Sequence, residues 1–155
     1  MSKRLFVLLA TVVTCLAVAG PASAQGGVGL RAGASGGPGQ FVFGVHFDTP
    51  EVVPNLTFRP NLDVGIGDNR TIVGMNVEFA YWLPLTDTDW KLYFPVGPAL
   101  VVTSRDDNRG QGGGTDVGGG FSLGVGAQHA RGFFVELKVA FIDSQDVRFS
   151  VGYVF

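Results

Sequence analysis

Cysteine is almost absent from this 155-residue chain: the single one, Cys15, sits in an apolar amino-terminal stretch. No disulfide scaffold can hold the remainder together, so stability must come from packing, backbone pairing or a membrane. Histidine is as scarce. His46 and His129 are the only two, below the number and spacing that a metal centre or a histidine-based catalytic cluster needs. Beyond the amino-terminal stretch there is no apolar run long enough for a spanning helix and no amphipathic helical stretch of useful length. An excess of positive charge is missing too, with 11 basic residues against 13 acidic ones, which gives no support to nucleic-acid binding.

The first residues carry a recognisable instruction. Lys3 and Arg4 form a basic start, Leu5 to Ala19 is apolar and uncharged, and Pro21 leads into Ala22-Ser23-Ala24 before Gln25. Residues 1–24 therefore read as a cleaved secretory signal peptide and 25–155 as one β-barrel domain. A retained anchor is the alternative, against which stand the short apolar run and the cleavage pattern. Thr14 before Cys15 fits a lipoprotein site poorly. Removing Lys3 and Arg4 takes the basic count from 11 to 9 and the formal net charge to −4 over 131 residues, the length of one domain.

What the chain does have is alternation. Apolar and polar or small residues exchange with period two from Val28 to Ala34, Phe41 to Phe47, Leu56 to Ile66, Val73 to Tyr81, Trp90 to Val102, Phe121 to Ala127, Phe133 to Phe141 and Val147 to Phe155. Turn chemistry separates them, as in Ser35-Gly36-Gly37-Pro38-Gly39. The last run ends on Phe149, Val151, Tyr153 and Phe155. An apolar terminal strand is an aggregation liability unless it pairs with the first and turns its apolar face to lipid. The expected fold is all-β: an eight-stranded antiparallel up-and-down transmembrane β-barrel.

Period two alone does not say which face points outward, since a soluble lipocalin-like barrel puts its apolar side chains around an internal cavity. The aromatic positions favour the membrane. Phe47, Phe58, Tyr81, Trp90, Phe133, Tyr153 and Phe155 would gather on the apolar face at one rim, where interfacial aromatics belong. The opposite face carries Arg31, Arg59, Asp63, Glu78, Glu136, Lys138 and Arg148, expected as a lumen ion-pair network, together with His46, Asn61, Asn76 and Gln128. In an interior only wide enough for side chains, small residues beside paired charges would plug the lumen.

A two-residue turn at Asp68-Asn69 would set Arg59 opposite Glu78 and Asn61 opposite Asn76, predicting an Arg59–Glu78 ion pair. Pro60, Pro95 and Pro98 fall inside strands of a barrel that has no edge, so bulges or interruptions are expected there. Ser104 to Asp116 reads as a long polar loop.

The signal segment, the alternating strands, the segment 133–141 (Phe-Phe-Val-Glu-Leu-Lys-Val-Ala-Phe) and the closing 149–155 (Phe-Ser-Val-Gly-Tyr-Val-Phe) resemble the small outer-membrane β-barrels of the OmpX and OmpA transmembrane-domain type. That resemblance implies residence in the bacterial outer membrane of a Gram-negative cell, contact with outer-membrane lipid, and recognition of the terminal strand, with Phe149, Val151, Tyr153 and Phe155 as the assembly signal, by the barrel assembly machinery. It implies no single activity. Lipid A deacylases of similar size carry a His-x-Ser pair, whereas here Ala130 and Arg131 follow His129, and no serine completes a triad with His46 and Asp48. The glycines after Arg109 lack the ending of a phosphate loop. The expectation is a monomeric, non-enzymatic barrel with no cofactor, no metal and no nucleic-acid partner, in a structural or surface-interaction role. A soluble ligand-binding barrel and an outer-membrane lipid-modifying enzyme are the alternatives.

Overall fold

The structure, a computed structural model, describes residues 26–36, 39–67, 70–105, 114–142 and 144–155. The signal segment with Cys15, the Asp68-Asn69 turn and residues 106–113 lie outside them. Nine strands follow in order: β1 Gly27–Gly36, β2 Gly39–Asp48, β3 Glu51–Val53, β4 Leu56–Gly67, β5 Arg70–Pro84, β6 Trp90–Arg105, β7 Thr115–His129, β8 Phe133–Ile142 and β9 Ser144–Val154. Each long strand pairs antiparallel with its neighbour, β1 pairs with β9, and β2 pairs with β4. Eight long strands therefore close into an up-and-down barrel, as the alternation predicts.

Register links the strands into one screw. From Val117 the pairs run to Val102, Val73, Val64, Phe43, Ala32, Val151, Val135 and back to β7 at Ala127, ten residues from the start. A shear of ten on eight strands tilts them by about 35–45°. Because ten is even, a residue facing outward on β7 meets only outward-facing partners all the way round.

The apolar face is outside. Phe41 is 71% exposed, Phe43 and Phe149 54%, whereas Arg59 and Glu78 are at 0%. This is the reverse of a lipocalin-like arrangement, in which the apolar side chains line the cavity.

Two features differ from the strand reading, and a third, the interruption of ladders at the prolines, follows it. β3 is an additional short strand: β2 breaks at Thr49-Pro50, and the chain continues along β4 through Glu51 opposite Thr57 and Val53 opposite Leu56. Its turn requires Asn55 in the left-handed region at φ 64°. β6 and β7 extend into the expected loop, with Ser104 opposite Thr115 and the Arg105 amide donating to the Gly114 carbonyl at 3.0 Å. Gly118-Gly119-Gly120 carries no alternation, which hid the start of β7. The prolines interrupt ladders without shifting register. Pro98 pairs with Phe121 but leaves Val77 unpaired on the β5 side, Pro95 pairs with Ala80 but leaves Gly124 unpaired on the β7 side, and the β2–β4 ladder stops at Asn61, one residue before Pro60. An antiparallel residue aims its N–H at one neighbour only, so each proline opens one gap on one side.

Closure by β9 predicts slow unfolding in detergent. Unheated protein should migrate differently from boiled protein on an SDS gel, and a variant lacking residues 149–155 should give a single band whether heated or not.

Candidate functional site

Alternation delivers every second side chain of the eight long strands to the interior face, and a charge buried there must meet a partner. Arg31 on β1 forks onto Asp63 of β4, with Nε to Oδ1 and Nη2 to Oδ2 both at 2.8 Å, and reaches Glu136 of β8 at 3.1 Å. Arg59 on β4 is held by Asp48 of β2, with Nη2 to Oδ2 at 3.0 Å, and by Glu136 at 3.4 Å. Lys138 lies 2.8 Å from Glu78 and 3.3 Å from Glu136, and Arg148 lies 2.8 Å from Asp63. Four cations thus meet four carboxylates, and the seven residues expected as a network lie together with Asp48 as the eighth.

The expected Arg59–Glu78 ion pair is not formed. The two residues are cross-strand neighbours on the interior face, the register expected from the sequence, yet the guanidinium leans away to Asp48 and packs over Tyr93, 4.4 Å from its ring centroid, and over Trp82 at 5.4 Å. Glu78 is occupied by Lys138, by the Asn61 side-chain amide at 2.8 Å and by the Ser122 hydroxyl at 2.8 Å. In so narrow an interior a long side chain reaches strands across the barrel as easily as its ladder neighbour. Asn76 completes the cluster by donating to Asn61 and, at 3.4 Å, to Asp63.

Aromatic side chains share this space, which the sequence does not announce. Tyr93 and Phe134 are fully buried, and the His46 ring packs edge-on against Phe134 at 5.2 Å. Each stands directly opposite a glycine: His46 opposite Gly29, Tyr93 opposite Gly126, Phe134 opposite Gly152. A Cβ at any of these glycines would overlap the facing ring, and one at Gly44 would strike Asp63 and Arg31. The glycines of the polar face are therefore sockets for large side chains. The signal was available: a bulky residue of inward parity paired in register with a glycine marks a socket, but it needs the register first.

The seven expected interfacial aromatics lie on the outer face toward one end, here called the girdle end. Phe47, Tyr81, Phe133 and Tyr153 are 44–46% exposed and Phe155 is 76% exposed, with Phe58 and Trp90 half-buried. Trp90 meets the Phe133 ring at 6.3 Å, and Tyr153 meets Phe155 at 5.2 Å. Phe149 and Val151 of the expected assembly signal continue the exposed face along β9. His129 sits at the same rim, where its Nδ1 accepts from the Arg131 amide at 3.0 Å and its Nε2 lies 4.0 Å from Asp89. His46 is 3.5 Å from Asp48, far inside. The two histidines share no site, and among the described residues no group of three or more His, Cys, Asp or Glu is placed to hold a metal ion.

The girdle end opens inward as a cup of about 710 Å³, walled by Asp48, Glu51, Trp82, Lys91, Gln128 and Arg131 among others. Trp82 is fixed there by its indole N–H donating to the Thr57 hydroxyl at 3.0 Å.

Solved structures similar to this chain include outer-membrane proteins. The amino-terminal β-barrel domain of Pseudomonas aeruginosa OprF superposes with a TM-score of 0.64 at 12% identity, covering 83% of this chain and 97% of that one. Neisserial surface protein A (NspA) gives 0.65 at 12% identity over 84% and 96%, and the outer membrane enzyme PagL 0.55 at 13% identity over 83% and 98%. No protein-family profile and no curated protein matches the sequence. At such identities the likeness establishes the fold, that of the small OmpX- and OmpA-like barrels, and leaves activity open.

Two substitutions test the interior. Glu136→Gln deprives Arg31, Arg59 and Lys138 of a shared carboxylate and should cost about 3–5 kcal/mol, read as a lower urea midpoint for the protein folded in vesicles. Gly29→Val drives a side chain into the His46 ring, the one group a Cβ there would meet, and should cost about 1–3 kcal/mol, most of it recovered when His46→Ala is added.

Proposed function

We propose that this chain is a monomeric barrel of the bacterial outer membrane without catalytic activity, in a structural or surface-interaction role. The observation that carries this reading is the sorting of faces. Apolar side chains cover the outside through the full turn of the screw, while every interior charge is matched inside, and only lipid solvates such an exterior without aggregation. The fold shared with OprF, NspA and PagL supports the same location.

The interior acts as a plug. Paired charges, amides and socketed rings occupy the space through which ions would have to pass, so the barrel holds its shape and does not conduct. The strand ends at Arg105 and Thr115 lie opposite the girdle, and the polar stretch between them in the sequence is the surface offered to a partner. The terminal strand serves as the signal read by the assembly machinery, through Phe149, Val151, Tyr153 and Phe155. A catalytic reading finds no support in His46 or His129, which stand in separate surroundings, the one beside Asp48 and Phe134 and the other beside Asp89 and Trp90.

Lipid accessibility and conductance test this. In vesicles of phospholipid with brominated acyl chains, a Trp82→Phe variant, whose emission comes from Trp90, should be quenched strongly, and a Trp90→Phe variant weakly, because Trp82 is interior. Equal quenching would place the faces wrongly. Reconstituted into planar bilayers, the protein should give no discrete conductance steps; regular steps would overturn the plug.

A further inference from the structure

We infer that His46 is an acid-sensitive switch in the charged interior: its protonation draws Asp48 away from Arg59 and turns the freed guanidinium toward Glu136 and Glu78. The device is separate from the proposed surface role, since it works from the girdle end, away from the strand ends at Arg105 and Thr115.

The neutral ring is held by shape alone. His46 is 1% exposed, fills the space left by Gly29 and meets Phe134 edge-on at 5.2 Å, and neither of its nitrogens has a hydrogen-bond partner among the described residues. Its Nε2 lies 3.5 Å from Oδ2 of Asp48, longer than a formed hydrogen bond. That same oxygen accepts from Nη2 of Arg59 at 3.0 Å. Protonation makes the ring a donor at both nitrogens and its bond to a carboxylate charge-assisted. Two cations then compete for one oxygen.

Charge balance decides which of them yields. Arg31, Arg59, Lys138 and Arg148 already match Asp48, Asp63, Glu78 and Glu136, so an imidazolium is a fifth cation. The groups that face it are Asp48 on β2, Arg31 on β1, Arg59 on β4 with Asn61 directly opposite, and Glu136 with Phe134 on β8. Glu136 is already shared by Arg31, Arg59 and Lys138, which leaves Asp48 as the acid within reach of His46. Arg59 has other acids: Glu136 lies 3.4 Å from its Nη1, and Glu78 stands directly opposite on β5. The guanidinium is therefore the group that moves.

The switch faces water on one side. Asp48 borders the cup with its side chain 10% exposed, and His46 stands two residues further in along β2, so a proton from the girdle-side compartment passes Asp48 to reach the ring. Trp82 borders the same cup and has the Arg59 guanidinium over its ring at 5.4 Å. A guanidinium that leaves Asp48 leaves this indole too, and Trp82 reports the change.

The test uses the double variant Trp90→Phe, His129→Gln, both changes at the girdle rim, which leaves Trp82 and His46 as the one tryptophan and the one histidine of the chain. It is folded in detergent and verified by its heat-dependent gel shift. Between about pH 8 and 5, the range in which histidine changes charge, the His46 ring resonance and the Trp82 emission should shift along one single-proton curve with a common midpoint. Comparing the two curves needs no interior substitution. Adding His46→Phe, which keeps a ring beside Gly29, should flatten the emission curve. A His46 resonance that does not move, an emission that stays flat while the ring titrates, or an emission transition that survives His46→Phe would each overturn the switch.

Discussion

Everything in this structure depends on closing the backbone ladder. A strand facing hydrocarbon cannot hand its amides to water, and an unsatisfied peptide group there costs several kcal/mol. The pairing of β1 with β9, from Gly29 opposite Val154 to Ser35 opposite Arg148, removes the last edge. The same constraint disciplines the prolines. Pro60, Pro95 and Pro98 each leave their gap on one side, and the partner ladder on the other side stays in register. An insertion of one residue at any of them would turn part of that strand, with Arg59 on β4 or Tyr93 on β6, to the other face; a gap without a shift keeps every face intact.

Closure fixes the diameter, and the diameter sets the terms for the interior. Eight strands leave room for side chains and little else, so bulk on one strand demands its absence on the next. Gly29, Gly44, Gly126 and Gly152 are that absence. Glycine is a poor strand former because it loses entropy and packs nothing; here each admits a ring or a guanidinium across the ladder, and the packing regained offsets the loss. The charges obey a similar rule. Two like charges, Lys138 and Arg148, are direct cross-strand neighbours, an arrangement unfavourable in isolation, and Glu78, Glu136 and Asp63 around them make it tolerable.

Strand count, face assignment and the membership of the charged cluster were legible because period two survives in almost every strand, and because reading a two-residue turn between Gly67 and Arg70 sets Arg59 opposite Glu78, the register that β4 and β5 take. Pairing inside the cluster was not legible. Arg59 has three carboxylates within its reach, Asp48, Glu136 and Glu78, and one-dimensional spacing ranks only the ladder neighbour. Choosing among them needs the cross-barrel distance, which depends on the shear accumulated over all eight strands. Tyr93 and Phe134 escaped for a related reason. Each sits beside an outward aromatic, Phe94 and Phe133, so alternation is blurred where two large apolar residues are adjacent. β3 and the start of β7 were hidden by Pro50, Pro54 and the glycine run 118–120, residues that read as turns in any local window.

The two ends of the barrel follow from the same bookkeeping of volume. Toward the middle, charges and rings are matched one to one with glycines and counter-charges, and the interior side chains there lose nearly all solvent contact. At the girdle end the matching stops, and a cup bordered by Glu51 of β3, Trp82 and Pro84 of β5 and Lys91 of β6 opens there. Trp82 marks the boundary. Its ring rests on Tyr93 below and borders the cup above, so it is at once the last interior residue and the first surface one. Eight strands enclose room for little beyond side chains, and the exposed Lys91 and Arg131 that border the cup stand apart from the paired charges of the interior.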